Sequence, residues 1–230
     1  MKKSDYLVIF LLIIILVPFF IFENFFNGYL YINSKIPLLM AFIKFAILAT
    51  FGEMLALRIK TGKYIQPNYG FAPKAIIWGL FGIWIAVAMA IFKVGVPAFL
   101  DNFTSANGVS SAMLLGFSGK KLLGAFCISV VMNTFFAPVF MTFHKITDTH
   151  IALNNGKFSS LFKAIPIGQI ISDLDWKVQW NFVLKKTIPL FWIPAHTITF
   201  ILPQEFQVLF AALCSIALGL ILSIAQLKKN

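Results

Sequence analysis

Long apolar runs separated by short basic segments constrain this chain more than any other feature of it. Tyr6 to Phe22, Ile36 to Leu57, Ala75 to Phe92 and Leu122 to Phe143 carry few charges, and Thr187 to Ala225 forms a fifth block interrupted by Pro203. About 20 apolar residues is the length a helix needs to cross the hydrocarbon of a bilayer. Composition agrees, since 60% of the 230 residues are hydrophobic and only 12% are charged, roughly half the charged share of a soluble domain. So much apolar surface has to face lipid as well as a core. The expected fold is all-α: a polytopic transmembrane helix bundle, one domain over 1–230, with five spans plus one short helix.

The spans have readable boundaries. Lys2 and Lys3 precede the first run like the start of a signal peptide, but Glu23-Asn24-Phe25-Phe26 follows where small residues would mark cleavage. Residues 6–22 therefore read as an uncleaved extra N-terminal span, built of large side chains suited to lipid. Pro37 opens the second span, where its missing N–H costs little, and the third ends near Lys93 to Pro97. Pro138 predicts a kink in the fourth, because it loses a helix bond and crowds the Thr134 carbonyl; Thr134 and Asn133 can help satisfy the backbone freed there.

In the 144–186 segment, Phe158, Leu161, Phe162 and Ile165 recur at helical spacing, as do Ile170, Ile171, Leu174 and Val178. These predict short interfacial helices, with Trp176 and Trp180 at headgroup level. Residues 187–201 are too short to cross comfortably, whereas 203–225 are long enough, so a turn is expected near Leu202. Whether the short helix re-enters or crosses stays open, and with it the side on which Lys228 and Lys229 lie. Lys and Arg number 12 in the N-terminus, the 58–74 loop and the 144–186 segment, against 4 in the opposite loops. The excess places the N-terminus inside.

The formal charge of +11 is spread between apolar runs and matches no recognition motif, so nucleic acid is not an expected partner; the lipid bilayer is. Cys127 and Cys214 sit in apolar runs as small hydrophobes. No G-x-S-x-G, Walker, H-E-x-x-H or Gly-rich dinucleotide sequence occurs, and Asp173 and Asp175 would diverge on a helix. The chain reads as a non-enzyme with no catalytic residues and no cofactor. His144, His150 and His196 have no ligand-spaced Cys or carboxylate, so no metal site is expected.

Three faces should point into the bundle. In lipid, small residues let helices approach where no hydrophobic force presses them together. Gly79, Gly82, Ala86 and Ala90 form one such stripe, and Ala211, Ser215, Gly219 and Ser223 form another. In the second span, Ala46, Ala49, Glu53 and Ala56 share a face with Gly52 alongside. Lys44 points away and should snorkel to the surface. A carboxylate on a packing face must be protonated, paired or wetted. Glu53 is either held near the helix end by Arg58 or a loop lysine, or lines a solute path. Asn133 and Ser129 share a face of the fourth span, as interhelical glue or as pore lining; His196 lies one turn before Thr199.

Several of these segments resemble a known family. Tyr31-Ile-Asn-Ser-Lys-Ile-Pro37-Leu-Leu with Thr50-Phe-Gly52-Glu53 is similar to the Tyr, Pro-Leu and Gly-Asp opening of the twenty-two-kilodalton peroxisomal membrane protein (Mpv-type) family. Asn133-Thr-Phe-Phe-Ala137-Pro138 is similar to that family's Gln-x-x-x-x-Pro span. Trp192-Ile-Pro194-Ala-His196-Thr-Ile-Thr199-Phe200-Ile-Leu-Pro203 resembles its C-terminal signature, with His196 for Gln, Thr199 for Asn and Gln207 for Arg. The likeness runs from about Tyr31 to Ser223, within a bundle spanning 31–226, and leaves the first span as an addition. The resemblance implies a helix bundle that passes small metabolites. Lys-, Ile-, Asn- and Phe-heavy usage without an Arg- and Ser-rich transit segment suggests a bacterial member in a cytoplasmic membrane.

The leading expectation is thus a channel for a small polar solute, with Glu53, Asn133, His196 and Thr199 along its path. The alternative is a non-transporting scaffold or assembly protein whose polar residues lock helices together. A chain of five spans would need to form a homo-oligomer to enclose a wide pore.

Overall fold

The computed structural model describes residues 2–227 and is helical throughout, with no strand among the described residues. Lys228 and Lys229, on which the side of the C-terminus turns, lie outside the described residues, as does the Ser223 side chain. Four helices are long and apolar enough to cross a membrane, or five if one bent pair forms a single span. The chain divides into two compact units, Met1–Met40 and Ala41–Asn230.

The first unit holds α1 (Lys3–Ile21), α2 (Glu23–Lys35) and the start of α3 (Pro37–Thr61). At the start of α1 the Lys2 backbone N–H donates to Asp5 Oδ2 at 2.7 Å. Candidate span α1 has none of its most apolar stretch buried, and Phe19 meets Phe25 and Tyr29 edge-on where α1 turns into α2.

The second unit carries the rest of α3, then α4 (Phe71–Phe103), α5 (Val109–Leu114), α6 (Gly119–Phe135), α7 (Ala137–Leu153), a 3-10 turn at Phe158–Phe162, α8 (Ile167–Asp173), α9 (Trp176–Val178), a π-helix at Gln179–Trp192, α10 (Ile193–Ile201) and α11 (Gln204–Leu227). Its core gathers Phe45, Trp78, Phe81, Ile85, Met89, Ile128, Met132 and Phe200 around Ala49, Ala125, Ala211 and Ala212. Large aromatic and aliphatic groups fill what the alanines leave open.

Several boundaries differ from those the sequence suggested. Pro97 does not end the third helix: α4 is 33 residues long and runs through it to Phe103, about 50 Å at 1.5 Å per residue, which exceeds a ~30 Å hydrocarbon core. The helix does not end at His144 either, since α7 runs on to Leu153. The predicted kink is present as a break: α6 and α7 meet at Phe136 with a 47° bend, and Pro138 falls in the first turn of α7, where its N–H is not needed. Thr134 donates instead to the Val130 carbonyl at 2.7 Å and Asn133 to that of Ser129, so both bond back one turn.

The turn near Leu202 is where expected, but the helix before it is not a short piece over 187–201. Helical backbone is continuous from Trp176 to Ile201, most of it wound as a π-helix. Lys44, expected to snorkel, is only 7% exposed.

Two close approaches set the helix spacing. A Cβ on Gly82 would stand 2.5 Å from the Ala41 carbonyl oxygen and 2.7 Å from Phe45 Cβ, and one on Gly79 would enter the Phe42 ring. A Cβ on Gly52 would meet Ile216 Cα at 3.0 Å, and Gly219 lies over the Gly52 carbonyl and Ala56. Ala211 is buried beside this seam, while Ser215 and Ala86 are half-buried and Ala90 is exposed. The α4 stripe therefore seals only its first turns. Gly82→Val should separate α3 from α4 and lower stability by about 1–3 kcal/mol or more. Gly95→Ala, at a helical glycine with open space around it, should gain up to ~1 kcal/mol. Thermal unfolding in detergent distinguishes the two.

Candidate functional site

Two glycines fix the approach to the site. Gly70, at φ 74°, caps the start of α4, and Gly156, at φ 65°, closes the turn after α7. A Cβ on Gly156 would lie 2.5 Å from the Gly70 nitrogen, and one on Gly70 would lie 3.0 Å from Gly156 Cα. Only residues that accept positive φ and offer no side chain fit at this crossing. It ties the 62–70 loop to the end of α7, so that Lys74, in the first turns of α4, emerges beside Asp148.

Lys74 joins three helices. Its ammonium donates to Glu53 Oε2 of α3 at 2.8 Å and pairs with Asp148 Oδ1 of α7, and it lies 5.2 Å from the centre of the Tyr69 ring. The other Glu53 oxygen accepts from Trp78 Nε1 at 2.8 Å and faces His144 Nε2 at 3.3 Å. Trp78 and His144 rings are 4.5 Å apart. Of the partners the sequence offered Glu53, a lysine of the 58–74 stretch is the one used; Arg58 sets its guanidinium over the Tyr64 ring. Tyr69 lies outside the candidate spans, and its phenol is pushed above its ordinary range, first by burial and then by the charges of Glu53 and Asp148.

A second polar group lies between α6 and α10. Ser129 donates to the Ile193 carbonyl at 2.7 Å, and Asn133 donates to the Ser129 carbonyl at 2.8 Å while its amide meets His196 Nδ1 at 3.0 Å. Asn133 is fully buried. The Ser129–Ile193 and Asn133–His196 bonds clasp the two helices, each worth on the order of 1 kcal/mol in a membrane setting.

Both groups border one cavity of about 320 Å³. Glu53 and His144 line it from the ion cluster, and Asn133 and His196 from the clasp; most of the remaining wall is apolar. Thr199 does not line it: it is wholly buried and its hydroxyl turns back to the Ala195 carbonyl at 2.9 Å, so it is removed from the expected path. The π-helix contributes Gln179, Val183, Thr187 and Trp192 to the wall. Bonding from i to i+5 opens the turn, which keeps residues four and five apart on one face. An α-helix would already align the first three, and only Trp192, thirteen residues from Gln179, needs the wider turn to share their face. Lys74, Trp78 and Asp148 were missed as a set because only the tertiary fold brings them to Glu53.

Among the described residues, no group of three or more His, Cys, Asp or Glu side chains is placed to hold a metal ion. No known family profile, curated protein or solved structure matches the chain.

Lys74→Met would strand two carboxylates in a partly buried setting, at a cost of about 2–4 kcal/mol. Glu53→Gln leaves Lys74 its Asp148 partner and should cost less; equilibrium unfolding of both variants checks the order. Folded Tyr69 holds its proton more tightly than an unfolded tyrosine, which titrates near pH 10. Its stabilising contribution is complete below about pH 10 and is lost as pH rises through the higher folded value. Tyr69→Phe should therefore lose stability less steeply than the native chain above pH 10 in alkaline unfolding curves.

Proposed function

We propose that this chain is a non-enzymatic membrane protein whose helix bundle binds and passes a small solute. One observation supports this above the others: a single cavity of about 320 Å³ is bordered both by the Glu53 cluster and by the Asn133–His196 clasp. Its size falls in the range of small-molecule sites, and polar groups inside a membrane bundle more often serve a pathway than a lipid face. The Mpv-type resemblance points the same way. The excess of Lys and Arg on one set of loops supports an N-terminus inside, and residue usage supports a bacterial cytoplasmic membrane. A homo-oligomer would gather several such cavities.

A second reading is favoured by the bonds from Ser129 to Ile193 and from Asn133 to His196: the polar residues serve only to hold helices in a scaffold. Purified chain in liposomes separates the two. On the solute reading, vesicles leak small solutes at a rate that scales with protein content, and Glu53→Gln changes the relative rates for charged and neutral solutes. Silent vesicles holding folded protein, with Glu53→Gln only lowering stability, would establish the scaffold.

A further inference from the structure

Donor and acceptor groups around the cavity are not balanced, and the imbalance carries information about what fits inside. The one carboxylate in its wall, Glu53, is already committed to Lys74, Trp78 and His144. It has little left to offer a cation. Gln179 and Trp192 also line the cavity, and the Gln179 Nε2 and Trp192 Nε1 groups are buried with no hydrogen-bond partner among the described residues. Gln179 is 7% exposed. A buried donor left unpaired is costly, so both groups call for an acceptor. Lys145, which is exposed, borders the same cavity and adds a positive charge where it meets the surface. The rest of the wall is apolar, with Phe45, Ile85, Met132, Phe136, Phe140 and Leu218 prominent.

Size narrows the occupant further. An apolar cavity of ~150 Å³ holds benzene, so about 320 Å³ has room for roughly ten to thirteen non-hydrogen atoms. We infer that the cavity takes a monocarboxylate with a compact apolar body of that size, its carboxylate accepting from Gln179 or Trp192 and its body lying against the aromatic and aliphatic wall. This inference rests on the solute-binding reading of the cavity and names the class of solute.

The test uses the full chain in lipid nanodiscs, with matched empty nanodiscs subtracted, and equilibrium dialysis of labelled octanoate, which has ten non-hydrogen atoms. Octanoate should bind saturably at one site per chain, and octylamine, of similar length but with a donor-only cationic head, should not displace it. Trp192→Phe keeps the ring and removes its N–H, and Gln179→Leu removes the amide. At least one of them should weaken octanoate about tenfold, the worth of one hydrogen bond. Gln179→Glu should lower octanoate affinity further and admit octylamine. Folding of each variant is checked by helical circular dichroism and a single gel-filtration peak. Equal binding of octylamine, no saturable octanoate binding, or unchanged affinity in both folded Trp192→Phe and Gln179→Leu would overturn the inference. Vesicles that pass other small solutes while octanoate fails to bind would sink the monocarboxylate and leave the solute reading standing. Octanoate that binds but never crosses would do the reverse.

Discussion

A single ammonium group, that of Lys74, is shared by carboxylates from two other helices, and the polar half of the bundle is arranged around it. Glu53 comes from α3 and Asp148 from α7, and a partly buried carboxylate is best tolerated when it is paired. The shared cation ties α3, α4 and α7 together with one side chain. Trp78 and His144 then take the Glu53 oxygen that Lys74 does not reach. The Gly70–Gly156 crossing makes this possible, because it delivers the start of α4 to the end of α7 at backbone distance.

Elsewhere the bundle depends on contact rather than charge. Lipid supplies no hydrophobic drive for one helix to seek another, so dispersion and short hydrogen bonds must suffice. Gly82 against the Ala41 backbone and Gly52 against Ile216 give α3 a near neighbour on each side. The Ser129–Ile193 and Asn133–His196 bonds do the same for α6 and α10. The cavity lies where these tight seams stop and larger side chains face one another across a gap. Its apolar wall and its polar ends thus come from two different ways of holding helices together.

Much of this is legible in the sequence, for identifiable reasons. Apolar runs mark the candidate spans because lipid demands length and hydrophobicity, and Pro138 and Pro203 mark the breaks because each removes a backbone donor. The inward position of Glu53 follows from Ala46, Ala49 and Ala56 on its face. Its partner was only half legible: the sequence offered Arg58 or a loop lysine, and choosing Lys74 requires knowing how the loop folds over α7. Pro97 lies inside α4 rather than at its end, and it and Val96 are buried. Thr199 looked like pore lining, yet a threonine can satisfy itself on its own helix.

The π-helix from Gln179 to Trp192 carries a torsional consequence. A stretch bonded i to i+5 holds fewer turns than the same residues would bonded i to i+4. Tightening any part of it would rotate everything on one side about the helix axis, with α10 held fixed by its clasp to α6. Gln179 and Val183 would sweep around the cavity wall, and α9, continuous with them, would turn as well. Such a segment would act as a screw thread rather than a hinge, changing what the wall presents by turning.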